Sequence, residues 1–239
     1  MKPMAEVRVL FALARGARKG DSTAERLQRF YAPQAHSYDA FRERLLHGRR
    51  ELIQLLPTAS GARVIELGAG TGRNLEFFGA RLAQLAEVQV VDLCPALLDV
   101  ARRRLAHLPN VRVLEADVTV HRPTRPVDVV YFSYALTMMP DWRAAVDNAL
   151  AMLQPAGTLG VVDFYLPGAC DEGRFSRRTR ANRFWRTWFA HDGVHLSHEH
   201  LPYLRSRLAP QVCLERAGSM PYLPWLRVPY YIFVGRKLH

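Results

Sequence analysis

The sequence predicts an open α/β fold, a mostly parallel sheet with helices on both faces. Three observations predict it. Between residues 57 and 164, short apolar runs alternate with stretches of helical spacing, the pattern of a parallel sheet covered on both sides. The first of these runs ends in the turn Gly68, Gly70, Gly72. Two late apolar runs, joined by a short connection, suit an antiparallel pair at the sheet edge. With no repeat or low-complexity linker, the 239 residues read as one domain over 57–239 behind a helical extension, 1–56. At 49% apolar residues, the chain is rich enough to bury a full core.

In order, residues 4–16 have helical spacing, with Val7, Leu10, Phe11 and Ala14 on one face. Residues 22–56 read as helical segments interrupted near Pro33 and ending before Pro57. Val64–Leu67 is a strand, followed by a helix from Asn74 to Leu85. Val88–Asp92 is the second strand, and the helix from Pro95 to His107 opens on proline, where a missing amide proton costs nothing. Val111–Glu115 and Val127–Phe132 follow, then Asp141 as the cap of a helix reaching Leu153. Thr158–Phe164 is the fifth strand. An insertion rich in arginine and aromatics spans about 168–208, before strands at 211–216 and 228–235.

Three cysteines, Cys94, Cys170 and Cys213, form no C-x-x-C pair and point to neither a disulfide framework nor a zinc site. They read as small buried apolar side chains in a reducing cytoplasm, and no metal is expected. No apolar run is long enough to cross a bilayer, and V-R-V-L-F-A-L-A, broken by Arg8, argues against a cleaved signal. A net charge of +11 draws the surface to polyanions, either nucleic acid or an anionic membrane.

The glycine turn is chemically specific. Glycine permits positive φ and lets a ligand lie against the backbone, and a strand, a glycine turn and a helix N-terminus together cradle a nucleotide-like group. A dinucleotide fingerprint would place its third glycine one residue later, where this chain has Arg73, which disfavours a dehydrogenase. Asp92 ends the second strand in V-V-D-L, placed to accept both hydroxyls of a ribose. Asp117 follows the third strand in E-A-D-V.

G-x-G-x-G after the acidic strand end at Glu66, with these two acids in order, resembles the S-adenosylmethionine (SAM) site of class I methyltransferases. The resemblance covers residues 57–239 and implies a Rossmann-like, seven-stranded, mostly parallel sheet with SAM as cofactor. It implies that Asp117 contacts the adenine amine, that Val118 meets the ring face, and that Glu66 orders the loop and the methionine amino group. Gly68, Gly70, Thr71, Gly72, Asn74, Asp92, Leu93 and Ser133 complete the implied cofactor site. On the helical lid, Tyr38 and Arg42 are cofactor candidates and Tyr31 a substrate candidate. Arg42 or Arg73 would meet a carboxylate of cofactor or substrate; an ordinary surface arginine is the alternative.

Residues 131–142, Y-F-S-Y-A-L-T-M-M-P-D-W, lack the (N/D)-P-P-(Y/F) signature of nucleic-acid amino-methyltransferases, so nucleic acid is not the expected partner. This stretch resembles the N-methyltransferases that convert diacylglyceryl-homoserine to its trimethyl betaine lipid. So do R-F-Y-A-P-Q-A-H-S-Y-D-A-F-R at 29–42, F-W-R-T-W-F-A-H-D-G-V-H-L at 184–196 and P-Y-L-P-W-L-R-V-P-Y-Y-I-F-V-G-R at 221–236. The resemblance implies methylation of a lipid amine, with a separate enzyme transferring the homoserine (aminocarboxypropyl) group to diacylglycerol. Other readings are methylation of phosphatidylethanolamine or a small amine, or a SAM-binding partner subunit without catalysis.

A quaternary ammonium product is the cation that aromatic faces bind best. Tyr131, Tyr134, Trp142, Tyr165, Tyr230 and Tyr231 are candidates for such a cage or, equally, for core packing, and Tyr134 leads because it follows Ser133 at the strand end. His191, Asp192 and His195 form a compact titratable group that either accepts the amine proton or is structural. A diacyl substrate requires a membrane surface. Phe184, Trp185, Trp188 and Phe189 share a helix face beside Arg183 and Arg186, the composition of an interfacial helix or of a lid packed on the sheet. The expected location is cytoplasmic, peripheral to the inner face of an anionic membrane.

Overall fold

The computed structural model describes residues 25, 28, 43–166, 194–221 and 223–238. The expectations for residues 4–16, for Tyr31, Tyr38 and Arg42, and for the aromatic face at 184–189 lie outside them, as do His191 and Asp192.

Helix α1 (Arg49–Leu55) leads into β1 (Arg63–Leu67), followed by α2 (Arg73–Gln84), β2 (Glu87–Asp92), α3 (Pro95–Leu105) and β3 (Val111–Glu115). Then come β4 (Val127–Ser133), a short turn at Leu136–Met138, α4 (Trp142–Met152), β5 (Leu153–Phe164), α5 (His200–Arg207), β6 (Leu208–Met220) and β7 (Leu223–Lys237). The seven strands form one sheet ordered β3-β2-β1-β4-β5-β7-β6. The first five run parallel, and β7 inserts antiparallel between β5 and β6. The strand order reverses between β1 and β4, so the carboxyl ends of those neighbours diverge into helices on opposite faces and leave a crevice.

Both faces are covered, which is why the central strands read as nearly continuous apolar runs. Val64, Val88, Val129 and Tyr131 pack with Leu52 and Ile53 of α1, Leu75 and Phe78 of α2, and Ala101 of α3. On the other face, Ile65, Leu67, Val130 and Phe132 pack with Ala145, Val146 and Ala149 of α4 and Leu201 and Leu204 of α5. The Asp141 carboxylate accepts the Ala144 amide at the start of α4, so the expected cap forms.

Three elements differ from the sequence expectation. The helix expected over 74–85 is wound as tight 3₁₀ turns and breaks at Gly79 (φ 56°, ψ −136°), a conformation only glycine adopts readily. Part of the expected insertion is α5, which seats His200, Leu201 and Leu204 in the core. The final strands are much longer than the apolar runs that announce them, because their polar residues alternate along a hairpin that extends beyond the core.

Candidate functional site

The crevice holds a cavity of about 290 Å³ at the carboxyl ends of β1, β2 and β4. Its glycine wall begins where β1 ends. Gly68, Gly70 and Gly72 all have positive φ (72°, 57° and 67°). A Cβ on Gly68 would stand 2.5 Å from the Ala135 Cβ, so the turn and the segment after β4 touch only because the side chain is missing. At Gly70 a Cβ would meet nothing closer than Leu97 at 3.8 Å; there the backbone faces open space that a ligand can fill.

Asp92 ties the turn to β2. Its Oδ2 accepts the Gly70 amide at 2.8 Å and its Oδ1 accepts the Cys94 amide at 2.9 Å. The carboxylate lines the cavity beside the turn it pins. Thr71 accepts from Arg104 of α3 at both its carbonyl and its hydroxyl oxygen, and this fixes the middle of the turn. Asp117 accepts the Thr119 amide and hydroxyl, forming an Asx turn after β3. Asn148 of α4 donates to the Val118 carbonyl and holds Val118 at the cavity wall.

Under the turn, Glu66 is fully buried. Asn74 Nδ2 donates to its Oε1 at 2.6 Å and the Tyr131 hydroxyl to its Oε2 at 2.8 Å. Burial pushes its pKa up to about 7, although Asn74, Tyr131 and the Arg49 guanidinium all favour the ionised form. Arg49 Nη1 donates to Asn74 Oδ1 at 3.3 Å and continues this network to the cavity surface.

The other wall comes from β4 and the residues after it. The Ser133 hydroxyl oxygen is buried at the cavity without a hydrogen-bond partner, an orphan that a polar ligand atom would satisfy. Tyr134 follows with φ 54°, an unusual value for a residue with a Cβ. Its amide donates to the Val162 carbonyl and its hydroxyl to the His47 carbonyl at 2.7 Å; its ring meets Phe164 edge-on at 4.5 Å. The hydroxyl is thereby committed, burial holds its pKa well above the usual value, and the residue presents ring surface to the cavity.

The sequence-derived candidates separate by position. Gly68, Gly70, Thr71, Asn74, Asp92, Leu93, Asp117, Val118, Ser133 and Tyr134 line one cavity, with Glu66 beneath it. Five aromatic candidates stand elsewhere, among them Tyr231, fully buried against Tyr165 and His200. Tyr131 is fully buried with its hydroxyl on Glu66, and Tyr165 is buried with its hydroxyl on Glu215. Trp142 packs edge-on against His200 and Tyr203 on the far side of α4, and Tyr230 stacks on His47. Each is used by the core or by a neighbouring element. His195 is exposed, and its amide donates to the Thr137 carbonyl at 2.7 Å, which ties 194–197 to the rim turn. Sequence reasoning missed Arg49, Met138 and Met139 in the lining. Arg49 carried a readable signal: it precedes Leu52 and Ile53 by helical spacing, so it shares their buried face.

Residues 64–157 match the family described as the methyltransferase domain. The trans-aconitate 2-methyltransferase of Methylobacterium nodulans is 32% identical over 127 residues, 53% of this chain and 48% of the relative. The ubiquinone/menaquinone biosynthesis C-methyltransferase UbiE of Ectopseudomonas mendocina is 29% identical over 154 residues, 61% of this chain and 60% of that one. The chain thus spans about half the length of the trans-aconitate relatives it matches. Among solved structures, the N-methyltransferase NodS from Bradyrhizobium japonicum, in complex with S-adenosyl-L-homocysteine, superposes with a TM-score of 0.66 at 17% identity, over 92% of this chain and 100% of that one. Likeness at that identity establishes the fold. The fold is the class I methyltransferase fold, and residues 64–157 are similar to methyltransferase domains.

Proposed function

We propose that the protein is a SAM-dependent N-methyltransferase that methylates the amine of diacylglyceryl-homoserine at a membrane surface, up to the trimethyl betaine lipid. One observation carries the reading. Of the twelve residues in the 131–142 stretch, Ser133, Tyr134, Ala135, Met138, Met139, Pro140 and Asp141 line the same cavity as the glycine turn. The stretch on which the lipid-enzyme resemblance rests therefore faces the cofactor residues directly.

The residues present fit SAM: a glycine cradle open at Gly70, a carboxylate at each of β2 and β3, and an orphaned hydroxyl at Ser133. When bound, SAM supplies an electrophilic methyl group for in-line displacement by a neutral amine. The protein's part is alignment and exclusion of water. Asp92 accepts the ribose hydroxyls while it pins Gly70, and Val118 packs on the adenine face. Tyr134, its hydroxyl fixed on His47, offers ring surface to the methylated ammonium. Met138, Met139 and Leu46 supply apolar wall that keeps the amine desolvated. An amine with a pKa of about 8 is mostly protonated at neutral pH, so each transfer needs a proton acceptor. His195, with His191 and Asp192 beside it in sequence, is the candidate. Lipid binding falls to the basic stretches, and a separate enzyme supplies the homoserine group.

The test is incubation with labelled SAM and a lipid extract, with and without diacylglyceryl-homoserine. Label in its mono-, di- and trimethyl forms is the expected outcome. The curated relatives favour a second reading, an acceptor of the kind their names carry. Label transferred to trans-aconitate, to a quinone precursor or to phosphatidylethanolamine would reject the first reading, and cofactor binding with no transfer to any acceptor would indicate a partner subunit.

A further inference from the structure

Asp163 is a fully buried acid at the carboxyl end of β5, outside the cavity lining, and it faces Tyr231 across the β5–β7 pair. Its carboxylate is taken up by the turn that follows β4. Oδ1 accepts the Thr137 hydroxyl at 2.7 Å and the Phe164 amide at 2.8 Å, and Oδ2 accepts the Thr137 amide at 3.2 Å. Thr137 is itself buried, and its carbonyl accepts the His195 amide at 2.7 Å. The Leu166 amide closes the same corner on the Ser197 carbonyl at 3.3 Å. One acid thus joins three pieces: the end of β5, the turn whose next residues Met138 and Met139 line the cavity, and the segment 194–197 that carries His195. A buried carboxylate is unfavourable unless fixed donors meet it, and burial raises this one to about 6 against the bonds from Thr137, Phe164 and Leu136. What it provides is a planar acceptor with no hydrogen of its own, which holds each donor in place.

We propose that Asp163 is a positioning residue for methyl transfer: through Thr137 it sets Met138 and Met139 against the cofactor residues and holds the His195 segment at the rim. The inference rests on the reading of the cavity as a methyltransferase site. The ionisable groups around the acid are the Tyr134 hydroxyl after β4, the Tyr231 hydroxyl on β7 and, behind Tyr231, His200 of α5 with Arg143 and Glu199 near it. Burial holds both tyrosines well above their usual value and, with Arg143, brings His200 down to about 4. Of these buried groups, Asp163 is the one that changes charge near pH 6. His195 joins the corner through its amide, and its side chain is exposed.

Two readouts on the full chain test this. The first is methyl NMR of protein labelled at methionine, with Met138 and Met139 assigned by replacement with leucine. Protonation places a hydrogen where Thr137 or Phe164 already donates one, so both resonances should shift as pH falls through about 6. Asp163→Asn sets an amide nitrogen against the same donors, so its resonances should lie near the low-pH positions and no longer titrate. The second readout is transfer from SAM to the acceptor that takes label in the lipid assay, diacylglyceryl-homoserine on the proposed reading. Asp163→Asn and Thr137→Val are expected to lower kcat about tenfold or more, the order that a misplaced wall costs, while S-adenosylhomocysteine affinity by calorimetry stays within about twofold. Thr137→Ser keeps the hydroxyl and should keep kcat. Methionine resonances that do not follow Asp163, an unchanged kcat, or S-adenosylhomocysteine affinity that falls in step with kcat would each overturn the proposal. Thr137→Val carries the test should Asp163→Asn fail to fold. Because the NMR arm needs no acceptor, resonances that follow Asp163 in a chain that methylates no lipid would sink the lipid reading and leave the positioning role standing.

Discussion

Glu66 is an acid that the fold keeps from ionising freely, and the pH dependence of stability follows from it. Its pKa moves from 4.5 to about 7, burial being the largest cause. Below pH 4.5 both folded and unfolded chains hold the proton. As pH rises toward 7 the unfolded chain has already released it while the native state still holds it, so stability falls through that window. Asp163, buried and raised to about 6, acts in the same direction over a lower range. Glu66→Gln keeps the acceptor for Asn74 and leaves Tyr131 able to reverse its hydrogen bond. Denaturant titrations should show a shallower loss of stability for this variant between pH 4.5 and 7, a difference on the order of 3 kcal/mol. An unaltered slope would mean that Glu66 is not the titrating group. Tyr134 separates two roles in the same way. Tyr134→Phe strands the His47 carbonyl and should cost about 1 kcal/mol of stability while preserving methyl transfer, because the ring remains. Tyr134→Ala should lose transfer by about tenfold or more if the ring face positions the ammonium. Equal activity in the two variants would reject that role.

At the scale of elements, the glycine turn divides into a packing glycine and a ligand glycine. Gly68→Ala drives a methyl into the Ala135 Cβ, two parts of the backbone that cannot both give way, whereas Gly70→Ala meets open space. Both pay for a left-handed residue, roughly 1 kcal/mol. Urea unfolding should therefore show Gly68→Ala to be less stable than Gly70→Ala by about 2 kcal/mol, while Gly70→Ala shows the larger loss of S-adenosylhomocysteine affinity relative to its stability. The reverse order would misassign the wall on which the ligand lies. This part of the molecule was legible because its physics is local. The run ending at Leu67, the glycine spacing and the acids at positions 92 and 117 each follow from one strand end and its turn. What was not legible depends on partners distant in sequence. The break in α2 turns on a glycine that is equally compatible with a helix by pattern, and α5 lies in a stretch whose composition hides its core residues. The aromatic candidates show the same limit. Tyr131, Trp142, Tyr165 and Tyr230 have the right chemistry for a cage, but sheet register and helix packing decide where each ring goes, and they take all four to other neighbours.

For the whole molecule the governing quantity is where the charge lies. Residues 1–20 carry Lys2, Arg8, Arg15, Arg18 and Lys19 against Glu6, and residues 174–186 carry six arginines and no acid. These stretches contribute net charges of +4 and +6, nearly all of the chain's +11, so the rest of the protein is close to neutral. Among the described residues no helix is long and apolar enough to cross a membrane, and acids neutralise much of the exposed arginine there, as in the pairs Arg143–Glu199, Arg207–Asp147 and Arg216–Glu51. A protein whose excess charge is confined to two segments should bind an anionic surface through them, reversibly and in a salt-dependent way. Each basic residue near such a leaflet contributes about 1 kcal/mol, so replacing Arg177, Arg178, Arg180 and Arg183 by glutamine should weaken binding by roughly a thousandfold. Flotation with phosphatidylglycerol-containing vesicles measures this. The unaltered chain should float at low salt and be released as salt rises, and the fourfold variant should stay behind. The thermal midpoint separates this from misfolding: removing like charges from one stretch should leave it unchanged or raise it. A variant that floats as well as the unaltered chain would place the membrane contact elsewhere, and with it the route by which a diacyl substrate reaches the cavity.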